Sequence, residues 1–321
     1  MAEEKVTGEK IDAAVESVSD KLDADILFIN SEMERPYDQQ VIDACIERRR
    51  RTNVLLILVT TGGNADVAFR IARCLQCKYE KFYLYVPGYC KSAGTLVALG
   101  ANEIIFSDHG ELGPLDVQMN KKDDLFQLQS GYTVMDALTA LQDKAFLTFE
   151  RSFLDIEERS GGTITVKTAG EMATNLTVGL FSSLFGQVDP LHIGESARAL
   201  SIAKAYGIRL QERSGNWDES SLSRLLSGYP SHGFVIDRHE ATTLFNNVRE
   251  PDEVEIELAK SLNDYARIPQ VRKDFVLTFL NQERELKEEA VGRKKPVPVA
   301  NVSPINTEEG EGNEKVAKGA A

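Results

Sequence analysis

An α/β fold on a mostly parallel sheet is what this sequence predicts, and three features predict it. Short apolar, β-branched runs recur at Asp25–Ile29, Val54–Val59, Phe82–Val86 and Asn102–Phe106. Between them lie segments of helical periodicity, and glycine, proline and serine mark the corners. Strands that alternate with helices pair in parallel, because each crossover must return the chain to the same end of the sheet.

Residues 1–22 are acidic and polar and read as a terminal segment with a frayed helix. Asp25–Ile29 is the first strand. A loop with Pro36 leads to a helix over about 37–50, with Val41, Ala44, Cys45 and Ile46 on its buried face. The basic run Arg48–Arg51 closes that helix, where cations suit the dipole. Val54–Val59 is followed by Thr60-Thr61-Gly62-Gly63 and a helix over about 65–77. Phe82–Val86 is broken by Pro87 and Gly88, and small residues from Ser92 to Gly100 read as a tightly packed helix. Asn102–Phe106 is a further strand, and the loop 107–118 ends in Gly113-Pro114-Leu115-Asp116.

A long helix then opens at Thr133, with Asp136 placed as in a capping box. Val134, Leu138, Leu141, Ala145, Phe149 and Phe153 form its expected core-facing stripe, and Gly161-Gly162 ends it. In 163–187, Phe181, Leu184 and Phe185 are expected in the core, with a groove or a subunit contact as the other uses. From 189 the character shifts. Helical patterns at about 194–206, 220–226 and 238–245 flank a short strand, 233–236, and helices follow at about 253–262 and 274–289. The predicted organisation is an acidic segment (1–22), a main domain (23–190), a smaller C-terminal α+β and helical extension (191–291) and a disordered tail (292–321) rich in Lys, Glu, Gly, Pro and Asn.

The 321 residues, 42% of them hydrophobic, suffice for a sizeable core. A formal charge of −13 argues against nucleic acid as a partner, since phosphate binding needs a positive face. No apolar run approaches the roughly 20 residues of a membrane span, and the N-terminus lacks the apolar stretch of a signal peptide. No membrane anchor and a cytoplasmic location are therefore expected. Cys45, Cys74, Cys77 and Cys90 suit a reducing compartment. Cys74 and Cys77 have CxxC spacing but no second pair, so small buried hydrophobes are expected and no metal.

Two corners carry candidate chemistry. Ser92 falls where a strand turns into a helix, so its hydroxyl is exposed and the helix's first amides can hold an oxyanion. The plainer role for a serine there is a helix N-cap. Gly62 and Gly63 let the backbone approach a ligand closely or supply a positive φ. Lys144 lies at the edge of the long helix's apolar stripe. Such a lysine usually snorkels to solvent, but in a dry pocket it could take a proton from serine.

Three segments together resemble the ClpP/crotonase superfamily, and within it the serine dehydrogenase proteinases, relatives of signal peptide peptidase A. They are Leu58–Ala72, Lys91-Ser92-Ala93-Gly94-Thr95, and Gly110-Glu111-Leu112-Gly113-Pro114-Leu115-Asp116. The likeness covers roughly 25–190, with a weaker echo at Tyr229–Glu240. It implies a ββα spiral, with Ser92 as nucleophile, Lys144 as general base of a Ser–Lys dyad, and the amides of Gly63 and Ala93 as oxyanion donors, Gly62 shaping their turn. Asp116 is an accessory candidate whose other role is to stabilise the Gly-Pro turn. Lys167 is a weaker competitor for the base, and Lys91 is expected to point elsewhere. The ClpP branch places a histidine in the loop after its serine; here that position holds Leu115 and Asp116. His109 comes too early, and it and His192, His232 and His239 read as ordinary loop or surface residues. The resemblance implies a cofactor-free serine peptidase acting on peptides or unfolded protein, assembled as a homo-oligomer. The rivals are a binding or scaffold protein that has lost hydrolysis, and a crotonase-type acyl-CoA enzyme.

Overall fold

The computed structural model describes residues 2–115, 118–120, 128–270 and 276–279. The elements in order are α1 (Ala2–Leu22), β1 (Ala24–Asn30), α2 (Tyr37–Arg48), β2 (Asn53–Val59), α3 (Ala65–Lys78), β3 (Phe82–Val86), β4 (Tyr89–Cys90), α4 (Ala93–Leu99), β5 (Glu103–Phe106), β6 (Glu111–Leu112), β7 (Gln118–Asn120) and β8 (Leu128–Ser130). They continue with α5 (Gly131–Ser160), α6 (Val166–Phe185), α7 (Pro190–Ser214), α8 (Glu219–Ser227), α9 (Arg238–Leu244), β9 (Val248–Arg249), α10 (Glu253–Ser261), a 3-10 turn at Asn263–Ala266, and β10 (Val276–Phe279).

The main sheet has six strands in the order β10-β1-β2-β3-β5-β9. β1, β2, β3, β5 and β9 run parallel, and β10 lies antiparallel against β1. Alternation along each strand sorts the side chains to two faces. Leu27, Ile29, Leu56, Leu58 and Leu84 join the core that includes residues of α2, α3, α4 and α7. Ile26, Phe28, Leu55, Ile57 and Tyr85 meet Val15 and Val18 of α1 and Leu258 of α10 on the other side. Every residue of β1 and nearly all of β2 is buried, as a sheet covered on both faces requires.

Residues beyond 190 contribute to the same sheet and core. β9 and β10 pair with its edge strands, and Leu210, Trp217, Leu222 and Ile236 are buried in the larger core. Trp217 Nε1 donates to Leu99 O at 2.9 Å, which ties this region to the end of α4. Three expectations are corrected here. The stretch 233–236 is no strand: only Ile236 pairs, in an isolated antiparallel bridge with Leu112. Its neighbours Phe234 and Val235 are exposed, so they lack a partner strand to lie against. Part of the expected charged helix at 274–289 is β10, whose Val276-Leu-Thr-Phe279 run completes the sheet beside β1. The stripe on α5 has the expected period, but Leu138, Leu141, Ala145, Phe149 and Phe153 are only half-buried. That helix packs on α6 and α7 rather than on the sheet. The tail 292–321 lies outside the described residues.

Candidate active site

Two strand-to-helix corners meet at one place because their strands are neighbours. β2 and β3 pair in register, and beyond them Thr60 bridges Cys90. Tyr89 O accepts from Thr60 N at 2.9 Å, and Thr60 O accepts from Lys91 N at 3.1 Å. The glycine corner is thereby fixed against the serine corner by backbone alone.

In the first corner Gly62 and Gly63 have φ of +118° and +128°, which a side chain rarely adopts. A Cβ on Gly63 would lie 2.6 Å from Met33 O, and one on Gly62 would lie 2.7 Å from Ser92 Cβ and 3.1 Å from its Oγ. The corner is held to the loop after β1, with Met33 N donating to Gly62 O and Asn64 N to Met33 O, both at 2.7 Å. Thr60 Oγ1 accepts from Gly62 N at 3.0 Å, so that amide is engaged. The Gly63 amide donates to no acceptor among the described residues.

In the second corner Ser92 has φ 53° and ψ −112° and precedes α4. A serine at positive φ is strained by about 1–3 kcal/mol, which the surrounding packing must offset. Its side chain makes no cap hydrogen bond. The N-cap reading therefore fails, and the geometry is that of a nucleophile elbow, in which a sharp strand-to-helix turn presents the hydroxyl. The amide of Ala93, at the first turn of α4, has no acceptor among the described residues. Gly94 allows the tight approach: a Cβ there would come 2.7 Å from Thr60 Cγ2 and 2.8 Å from Cys90 Sγ. Burial pushes the Cys90 thiol up, so it stays a neutral packing group.

The remaining predicted residues divide. Lys144 is solvent-exposed on α5, and no contact joins it to Ser92 among the described residues. Lys167 is exposed on α6 and paired with Glu171 at 3.9 Å. Asp116 lies outside the described residues. Lys91 does turn away from the crevice, into the protein. Its Nζ donates to Gly233 O at 3.0 Å, pairs with Glu111 at 3.1 Å and sits 5.1 Å from the Tyr89 ring centroid. Burial first, then Glu111, push the Tyr89 phenol up.

Lys91, the residue before Ser92, also reaches a distant part of the chain. Its Nζ holds the segment of His232 and Gly233, which is fastened as well by paired Leu112–Ile236 backbone bonds of 3.0 Å each. His232 is half-buried, with Nδ1 shut off from solvent. The sequence signal in this segment is the weaker echo at Tyr229–Glu240. Among the described residues no group of three or more His, Cys, Asp or Glu is placed to hold a metal ion.

A strained serine at a helix start thus lies beside the amides of Gly63 and Ala93, neither with an acceptor among the described residues, at one end of a mostly parallel α/β sheet. Residues 36–132 match the model of the ClpP-like SDH-type serine proteinases, so the chain is similar to that family over this segment. Two uncharacterised proteins of Methanocaldococcus jannaschii are similar: MJ0137, 39% identical over 66 residues, and MJ1495, 31% identical over 134 residues. Those matches cover 21% and 40% of this chain and 23% and 45% of the relatives, so less than half of either relative is spanned. Among solved structures, an alanine mutant of the 1510-N membrane-bound stomatin-specific protease aligns with a TM-score of 0.42 at 15% identity, covering 74% of this chain and 82% of that one.

Proposed function

We propose that the chain is a serine peptidase that cleaves peptide or unfolded protein segments through an acyl-enzyme on Ser92. The observation that carries this is the Ser92 backbone, at φ 53° and ψ −112° with no capping bond. A strained residue whose side chain caps nothing is best explained by the chemistry its position allows. In this reading Ser92 Oγ attacks the scissile carbonyl, and the amides of Gly63 and Ala93 hold the oxyanion as it develops. Gly62, its own amide engaged, keeps the space beside the nucleophile clear. Water then releases the acyl group, and no cofactor takes part.

Two residues compete for general base. Lys144 requires a neighbouring protomer to withdraw it from water, because in this protomer it is exposed. His232 is the other candidate: its half-buried ring lies on the segment that Lys91, next to Ser92 in sequence, holds through the Gly233 carbonyl. Assembly as a homo-oligomer is part of the proposal. Its support is α6, where Met172, Leu176, Val178 and Leu180 are 47–57% exposed.

Labelling with a fluorophosphonate probe tests the reading. Wild type should label and Ser92→Ala should not; equal labelling of the two removes Ser92 from the mechanism. With Ser92 established, His232→Ala should slow labelling about 10²–10⁴-fold, while Lys144→Ala leaves it unchanged. The reverse pattern assigns the base to Lys144. An aspartate at 116 is retained as an accessory to whichever base acts.

A further inference from the structure

A second concave site lies where β3 and β5 end, and its lining is unlike the rest of this acidic chain. It is a cavity of about 240 Å3, floored by Tyr85 and walled on one side by Pro251, Ile256 and Ala259. Tyr85 is almost fully buried, and its hydroxyl makes no hydrogen bond among the described residues. Small-ligand sites have this composition: an apolar wall with a few convergent polar groups.

The charges around it fall into two sets. Arg238 is committed to the rim, pairing with Asp108 and Glu250 at 2.8 Å each. Lys260 and Arg267 also line the cavity and enter no ion pair among the described residues. Both are exposed, so their charges remain available at its mouth. Asp108 and Glu250 line the cavity too, but both are paired with Arg238, so Lys260 and Arg267 are its cations without a counter-charge. The backbone that carries Arg267 is firmly held: Arg267 O accepts from Tyr89 N at 3.1 Å, and a Cβ on Gly88 would lie 2.4 Å from Arg267 Cα.

From this arrangement we infer that the cavity binds a small carboxylate with a short branched apolar body, the anion between Lys260 and Arg267 and the body against Pro251, Ile256 and Ala259. The inference is independent of the peptidase reading, since none of these residues belongs to the Ser92 crevice.

Isovalerate is the probe, followed by thermal unfolding, with isoamyl alcohol as its neutral analogue and inorganic phosphate as an anion without the body. At about ten times Kd, isovalerate should raise Tm saturably by about 2–4 °C in wild type and equally in Ser92→Ala. The shift should vanish in Lys260→Gln/Arg267→Gln, which alters only exposed side chains. It should also vanish in Ala259→Phe, which fills the cavity and keeps both cations. No shift with isovalerate overturns the inference. So does an equal shift with isoamyl alcohol, which makes the cations irrelevant, or with phosphate, which makes the wall irrelevant. An unchanged shift in both variants places the ligand elsewhere and overturns it as well.

Discussion

The glycines of the two-corner region and those of the α5–α6 hairpin are opposites. At Gly62, Gly63, Gly88 and Gly94 an added Cβ would meet another atom at 2.4–2.7 Å. At Gly161, Gly162, Gly170 and Gly179 it would meet nothing within 4 Å. The first region is closed within one chain: Gly63 and Gly88 lie against other backbone, and Gly62 and Gly94 against side chains. The second presents Phe146, Met172, Leu176 and Leu180 to solvent, although apolar surface is normally withdrawn from it. One region is closely packed within the chain, and the other leaves apolar side chains exposed.

The sharpest way to break this contrast is Gly63→Ala. It sets a Cβ 2.6 Å from Met33 O at a φ of +128°. We expect a loss of at least about 3 kcal/mol, measured by urea unfolding, together with loss of fluorophosphonate labelling. A variant as stable as wild type would mean the corner is not tightly packed. Next comes Leu176→Glu on the hairpin. Sedimentation should show a smaller assembly, while the unfolding midpoint of the dispersed protomer moves by less than about 0.5 kcal/mol. If wild type already sediments as a monomer, the hairpin's surface serves another purpose.

A third test uses pH. Burial pushes the Tyr79 and Tyr85 phenols up, and burial with the Glu240 hydrogen bond does so for Tyr229. Each holds its proton more tightly folded than unfolded, so stability is intact below the unfolded phenol value, about pH 10, and falls above it. Tm followed from pH 8 to about pH 12 should drop on the alkaline side, with a share of the phenolate absorbance equal to at least three tyrosines rising only as the protein unfolds. Full phenolate absorbance before unfolding would place these rings in water. The smallest effect is Gly179→Ala, inside α6 with open space around it. A helix-interior alanine should gain about 0.5–1 kcal/mol in the protomer. A loss seen only in the assembled form would locate a close approach between subunits there.

What could be read in advance follows the same division. β1, β2, β3 and β5 were legible because unbroken apolar runs between turn residues have few other uses in a chain of this kind. Ser92, Gly62 and Gly63 were legible because corner chemistry is local in sequence. β9 and β10 were not, because two-residue and four-residue strands take their identity from a neighbouring strand rather than from pattern. The α5 stripe showed which side chains share a face and said nothing about what covers that face. The Lys91–Gly233 contact was not legible for a related reason, since it joins residues far apart in the chain.

Thr60, bonded through its own backbone to both Tyr89 and Lys91, has a last implication. The hydroxyl and the amides that would cradle a charged oxygen are aligned by the pleated ladder itself, before any guest arrives. Readiness would then track the integrity of the sheet, and a dye reporting on β2 and β3 would foretell the loss of reactivity during gradual denaturation.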